Sequence, residues 1–399
     1  MHHFEGLALT LCWAISIGSG AYLALAIGSL LTHRFDRNAA PAFTCSTTVL
    51  KPLCGDEPDL EMALESFVTQ QTLGPVRYVF GVADARDAAL PVVRALAAKW
   101  PQTAIDVVID ARVHGANPKV SNLINMAGAR AGVDEVVVIA DSDVVIPPGA
   151  LQTLLNEFSL PDVGAATCLY RGRPSRPGWA SILGALYLDG WFLPTAILHG
   201  RLSSPQVCYG PMTALRRDVL QGAGGLPILA DSLADDTELG HLTRRQGLRI
   251  AIAPVIAETL VDESRIGDLF AHELRWAKMI RALQPLGYPA MVFTHPGPIP
   301  LIMVCLDPGA ATGVAALSLV ALRWALVHLA HRRFGRSQGV PAAGPILLWL
   351  REQLYFCVWV AGFFGDRITW RGREFRIGRG ATLQRPSLAS QRDVGWNEA

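Results

Sequence analysis

Apolar residues gather near the two ends of the chain, and the stretch between them alternates apolar runs with polar punctuation. Residues 7–31 carry no charge, and a helix of roughly 20 apolar residues crosses a bilayer core, so this segment reads as a transmembrane anchor. A cleaved signal peptide wants a basic start and a shorter apolar run, whereas this chain starts Met-His-His-Phe-Glu. His33, Arg34 and Arg37 follow the run and no Lys or Arg precedes it. The positive-inside rule then puts the following residues in the cytoplasm.

Further apolar segments are expected only after residue 290. Residues 291–306 are interrupted by Pro296, Pro298 and Pro300. Residues 309–330 form a better span, with Arg323 as the single charge. Residues 346–364 contain Arg351, Glu352 and Gln353, and charges are costly in mid-bilayer. That pattern predicts a helix facing protein or lying in the interface. Basic groups at 331–336 and at Arg367, Arg371, Arg373 and Arg376 both favour the cytoplasm. At least one C-terminal segment is therefore expected to be re-entrant or interfacial.

Residues 44–290 carry a different period. Short β-prone runs fall at 44–50, 78–82, 105–109, 135–140 and 163–170. Helical patterns lie between them: Leu60, Leu64, Phe67 and Val68 at helical spacing, a segment capped by Asp87 and running towards Trp100, and one opened by Asn117-Pro118 that runs to about Arg130. Pro147-Pro148 opens another. Strands alternating with helices predict an α/β domain with a mostly parallel sheet. The expected organisation is an anchor and linker over 1–43, a cytoplasmic catalytic domain over 44–290, a membrane region over 291–365 and a basic cytoplasmic tail over 366–399.

Composition agrees with this mixed character. The chain has 399 residues, 51% hydrophobic and only 17% charged, against about 25% charged in ordinary soluble proteins. Lys plus Arg is 35 and Asp plus Glu is 34, so no basic excess points to nucleic acid. Seven cysteines occur without a Cys-x-x-Cys pair, which argues against a disulfide framework or a zinc site and agrees with a reducing compartment.

Ligands of parallel sheets bind beyond the carboxyl ends of the strands. Lys51, Asp84 and the pair Asp141 and Asp143 fall at three such ends. Asp-x-Asp can face a Mg²⁺ or Mn²⁺ whose other ligands are phosphate oxygens and water, and the metal offsets charge on a departing diphosphate. Lys119, at a helix start, is either a second positive group for an anion or a solvated lysine. Asp235 and Asp236 are either acids complementing a helix dipole or a general base with a neighbour that raises its pKa. In His272-Glu-Leu-Arg275-Trp276, Arg275 could hold diphosphate and Trp276 could wall an acceptor pocket, or the pair is an interfacial anchor.

The segment from Thr48 through Lys51 to Leu60, then Asp84, Asn117-Pro-Lys119, Asp141-Ser-Asp143, Ala234-Asp-Asp236 and Arg275-Trp276, occur in one order. Together they resemble membrane-bound GT-A glycosyltransferases of the ceramide glucosyltransferase type, with the bacterial hopanoid-biosynthesis glycosyltransferases in the same neighbourhood. The resemblance implies a GT-A catalytic domain, Rossmann-like, with an N-terminal transmembrane helix and C-terminal membrane helices. It implies inverting transfer of glucose or N-acetylglucosamine from a UDP-sugar to a hydroxyl of a membrane lipid, ceramide or a hopanoid such as bacteriohopanetetrol, at the bacterial-type inner membrane. Asp84 would hold the uracil and ribose side, Asp141 would contact nucleotide, Asp143 would bind the metal and Asp236 would be the base. Arg275 and Trp276 match the end of the family's Gln/Arg-x-x-Arg-Trp motif, whose first position here is His272. Processive polysaccharide synthases, polyprenyl-phosphate sugar transferases and an inactive nucleotide-sugar-binding scaffold are the alternatives.

Overall fold

The computed structural model describes residues 2–34, 40–129, 134–176 and 178–385. Arg37, Arg130 and the tail beyond residue 385, all invoked above, lie outside the described residues.

The apolar N-terminal run is one helix, α1 (His2–Thr32). Four parallel strands follow: β1 (Thr47–Pro52), β2 (Val76–Val82), β3 (Ala104–Ile109) and β4 (Val136–Ala140). The connecting helices are α2 (Leu60–Val68), α3 (Ala89–Lys99) and α4 (Pro118–Ala129). Asn117 caps α4 by accepting the Val120 N–H at 3.1 Å. Successive strand residues face opposite sides. Val49, Tyr78, Phe80 and Val138 pack with Leu64, Phe67, Val93 and Leu96 on one side. Leu50, Val79 and Ile139 pack with Val120, Leu123 and Met126 on the other.

The full sheet has eight strands in the order β3-β2-β1-β4-β7-β6-β8-β5. Its added members are β5 (Val144–Val145), β6 (Val163–Pro174), β7 (Met212–Arg216) and β8 (Arg249–Val261). β7 runs antiparallel between β4 and β6, and β6 pairs β8 in parallel. β8 breaks its pairing register beside Cys168, where Ala253 and Ile256 oppose consecutive residues of β6. Pro254 sits in that bulge, because a residue without an N–H cannot serve the ladder. The helices α5 (Ala150–Asn156), α8 (Arg217–Gly222) and α9 (Asp235–Arg245) fill the faces of this half.

A helical layer covers the β6–β8 end of the sheet. It contains α1, α6 (Trp179–Tyr187), α7 (Leu193–Leu202), α10 (Ile266–Leu283), α11 (Ile299–Leu306), α12 (Ala310–Phe334) and α13 (Pro345–Gly362). Leu23, Ala26 and Leu30 of α1 pack with Leu193 and Ile197 of α7 and with Leu319 and Leu326 of α12. Among the described residues, three helical stretches are long and apolar enough to cross a membrane: Glu5–Thr32, Trp179–Leu202 and Ala310–Phe334. The second corrects the expectation that apolar segments return only after residue 290. In the sequence it is interrupted by Asp189 and Pro194. A π-helical turn, Leu188–Phe192, joins α6 to α7 and lets Pro194 enter the first turn of α7. Asp189 is buried, accepting the Gly172 N–H at 3.0 Å and pairing with His331.

The charges of α13 face protein, one of the two expected alternatives. Arg351 is 0% exposed, donates to the Leu183 carbonyl at 2.8 Å and pairs with Glu273 of α10. Glu352 pairs at 3.0 Å with Arg323, the single charge of the α12 span. Apolar side chains point outward on the same helices, among them Leu7, Leu11 and Ile17 of α1 and Val314 and Leu317 of α12.

Beyond α13 the chain forms a three-stranded antiparallel sheet: β9 (Arg367–Trp370), β10 (Arg373–Ile377) and β11 (Leu383–Gln384). Basicity in the sequence suggested only a tail here. Trp370 opposes Arg373, so Arg371-Gly372 is a two-residue turn with φ of 47° and 71°, the geometry of a type I′ hairpin. Ile368, Phe375, Ile377 and Leu383 pack with Leu233 and Ala234, just ahead of α9. Leu233 N–H donates to the Ala381 carbonyl at 3.0 Å. The C-terminal sheet is thereby bound to the approach to α9.

Candidate active site

The turn between β4 and β5 carries Asp141-Ser142-Asp143. Its backbone is pinned on two sides: Asp141 N–H donates to the Pro211 carbonyl at 3.2 Å, and Leu260 N–H donates to the Asp143 carbonyl at 2.8 Å. Lys51 pins it from beneath. Its ammonium is 0% exposed, donates to the Asp141 carbonyl at 2.7 Å and lies 3.8 Å from the Phe67 ring centroid. Burial pulls its pKa down to about 7. The sequence reading gives Lys51 to the substrate; here its charged end points into the core and orders the Asp141–Asp143 turn.

Lys119 opens α4 and meets two acids at once, Asp141 Oδ1 at 2.7 Å and Asp235 Oδ2 at 2.9 Å. Despite burial, those two carboxylates hold its pKa above the usual lysine value. It is a clamp joining the end of β4 to the start of α9.

Asp236 follows in the first turn of α9 and accepts the Thr237 N–H at 2.7 Å. Burial, then the neighbouring Asp235 charge, push its carboxyl up to about 7, opposed by Lys119. A Cβ on Gly210 would stand 3.3 Å from Asp236 Oδ2 and 3.9 Å from Asp141 Oδ2. A side chain here would crowd both acids. Tyr170 lies close enough for the charges of Asp236, Asp141 and Asp143 to help burial raise its pKa. Its ring packs 4.1 Å from that of Phe192, in the π-helical turn of the helical layer.

Asp143 is pushed up to about 8, first by burial and then by the charges of Asp141 and Glu57. An oxygen-rich, negatively charged turn fits a hard divalent cation. Among the described residues no three His, Cys, Asp or Glu side chains converge as a ready-made metal cage. A cation held here takes its remaining ligands from water or a bound phosphate.

Arg275 of α10 faces the same acids. Burial lowers its pKa to about 10, the Arg371 charge adds to that, and Asp141, Glu263 and Asp143 oppose it. Its guanidinium lies 5.3 Å from the Trp370 ring centroid on the C-terminal hairpin. His272 pairs through Nδ1 with Glu263, and its ring sits 4.4 Å from that of Trp276. Trp276 packs with Leu186, Leu188 and Trp191 of the helical layer. Arg275 and Trp276 thus separate, one towards the acids and one towards the aromatic layer.

Asp84 stands at the end of β2 on the same edge of the sheet. It is 55% exposed and paired with Arg86 at 3.2 Å. Of the sequence candidates, Asp141, Asp143, Lys119, Asp235, Asp236 and Arg275 converge, while Asp84 pairs with its neighbour Arg86. Glu57, Tyr170, Gly210, Trp370 and Arg371 were missed. The hairpin had a signal: Ile368, Trp370, Phe375 and Ile377 bracket Arg-Gly with period-two alternation. Gly210 and Tyr170 had none.

The family described as Glycosyl transferase family 21 matches the chain over residues 11–383. "Ceramide glucosyltransferase 1" of Caenorhabditis elegans is 24% identical over 288 residues, 71% of this chain and 60% of that protein. "Ceramide glucosyltransferase 3" of the same organism is 20% identical over 359 residues, 85% of this chain and 74% of that one. The match thus spans about three fifths of the first relative's length. Among solved structures, mannosyltransferase PcManGT from Pyrobaculum calidifontis, in complex with GDP-Man and Mn²⁺, has a TM-score of 0.54 at 20% identity, covering 90% of this chain and 99% of that one. That likeness, with the mostly parallel mixed sheet, identifies the GT-A fold.

Proposed function

The chain belongs to glycosyl transferase family 21, and on that premise we propose that it is an inverting hexosyltransferase moving a sugar from a UDP-sugar to a hydroxyl of a membrane lipid, with ceramide the acceptor its relatives favour. The observation carrying this reading is the meeting of Asp141, Asp235 and Lys119 beside Asp236, joined to the apolar helices through Tyr170 and Phe192.

Asp236 is the general base. A carboxyl pushed up to about 7 takes a proton effectively near neutral pH. The acceptor oxygen attacks the anomeric carbon from the face opposite the diphosphate. The new C–O bond forms as the sugar–phosphate bond breaks, UDP leaves, and the acceptor proton passes to Asp236. No nucleophile on the protein is needed. Lys119 keeps Asp141 and Asp235 in register, Arg275 receives the diphosphate charge, and Asp84 holds the nucleoside. Asp143, with Asp141, would hold a Mg²⁺ or Mn²⁺, which when bound offsets charge on the diphosphate. Tyr170, Phe192 and Trp276 wall the acceptor side, where His272 fixes Trp276 by packing against it at a tilt.

A lipid hydroxyl stays at the bilayer surface, so a site bordered by helices with outward apolar faces matches the acceptor. The test is mass spectrometry of lipid extracts from cells with and without the protein. A hexose or N-acetylhexosamine increment on ceramide is the expected result. The same increment on a hopanoid would reassign the acceptor, and no glycolipid difference would overturn the reading. The catalytic side is cytoplasmic, where UDP-sugars are made. In a Cys54→Ser background, Arg86→Cys should resist an impermeant thiol reagent in intact cells; labelling there would reverse the topology.

A further inference from the structure

The C-terminal hairpin brings an arginine into the catalytic half that the reading above does not use. Arg371 is the first residue of the Arg371-Gly372 turn. Its guanidinium donates to the Cys54 carbonyl at 2.6 Å and pairs with Glu57 at 2.5 Å. Both partners lie in the loop between β1 and α2, at the carboxyl edge of the sheet. Trp370, one residue earlier, lies against the guanidinium of Arg275. The Arg371 side chain is still 44% exposed, so it is not sealed into the core.

Two further facts tie this turn to the acids. Glu57, the partner of Arg371, is one of the charges acting on Asp143, and Arg371 acts on Arg275. Asp143 also acts on both arginines, so the two guanidinium groups border the same acids. The conformation is also unusual. A non-glycine residue at φ 47° is uncommon, and here it directs the side chain back over the β1–α2 loop. Arg376, on β10 of the same hairpin, instead points away to Asp366.

We propose that Arg371 is a donor-binding residue: the hairpin turn closes over the nucleotide-sugar, and Arg371 leaves Glu57 to contact the diphosphate opposite Arg275. Glu57 acts as its resting partner, a carboxylate standing where the phosphate charge will stand. A bidentate guanidinium contact to phosphate is strong because both hydrogen bonds are charge-assisted. The second arginine would secure the β-phosphate, which a nucleoside monophosphate lacks. This inference rests on the UDP-sugar reading of the site.

The experiment compares binding of UDP and UMP, in buffer containing Mn²⁺, to the detergent-solubilised full chain by calorimetry. The proteins are wild type, Arg371→Ala, Arg371→Lys and, as a control on the same hairpin, Arg376→Ala. Arg371→Ala should weaken UDP about 10- to 100-fold and leave UMP within about threefold, on the scale of a charge-assisted pair. Arg371→Lys should recover part of the loss, and Arg376→Ala should behave as wild type. Equal losses for UDP and UMP would make Arg371 a structural residue only and overturn the proposal, as would unchanged UDP affinity. Arg371→Lys keeps the charge if Arg371→Ala fails to fold, and a UDP/UMP preference unaltered in Arg371→Lys then counts against a bidentate contact. If wild type binds neither nucleotide, the donor reading itself fails, an outcome distinct from failure of the Arg371 assignment.

Discussion

The Lys119 ammonium and the Asp141 carboxylate meet at 2.7 Å, and through that contact the end of β4 is fastened to the start of α9. The same ammonium takes Asp235 at 2.9 Å and is the main charge restraining the pKa of Asp236. Lys119→Met should therefore push Asp236 higher still. The expected result is a low turnover at pH 7 that recovers partly at pH 8.5. A uniform loss across pH would mean that Lys119 contributes position alone.

Asp236→Asn tests the base. General-base help is worth about 10²–10⁴ in rate, so kcat should fall by that factor with UDP affinity within a few-fold. In wild type, activity should rise with pH through about 7, as Asp236 loses its proton. Stability runs the other way. A carboxyl raised above its unfolded value favours folding least once it is ionised, so stability from this group is lost as pH climbs from about 4 through about 7. Asp236→Asn should melt higher relative to wild type at pH 8 than at pH 5. If the larger rate loss falls on Asp235→Asn instead, the base is the preceding residue.

Asp143→Asn keeps size and removes charge. UDP affinity measured with Mn²⁺ and with EDTA should differ strongly in wild type and little in the variant. Equal affinity in both buffers for wild type would sink the divalent-cation assignment.

The Arg351–Glu273 pair is enclosed, with side chains 0% and 1% exposed. Removing one partner of a buried pair costs about 3–5 kcal/mol, whereas replacing both by apolar residues is often neutral. Arg351→Met should lower the melting temperature sharply, and Arg351→Met with Glu273→Met should recover most of it. Because Glu273 stands two residues before Arg275, the single variant should also lose activity. A mild single variant would mean that α10 does not rely on α13 for its position.

Local pattern fixed whatever depends on near neighbours. The parallel strands β1 to β4, the helices between them and the acids at their ends follow from period-two and helical spacing, and α1 and α12 follow from long apolar runs, the second broken only by Arg323. The order of short motifs then carried the family. Tertiary structure alone decided which of those polar groups share a site. Lys51 and Lys119 look alike in sequence, each beside a proline, yet one is sealed under the Asp141–Asp143 turn and the other bridges two acids. The helix Trp179–Leu202 was hidden because Asp189 and Pro194 look incompatible with it until Gly172, His331 and a π-helical turn receive them. Arg371 lies 314 residues from Glu57. A pairing at that separation is set by how the C-terminal sheet packs on α10 and on the approach to α9, and side-chain periodicity holds no record of it.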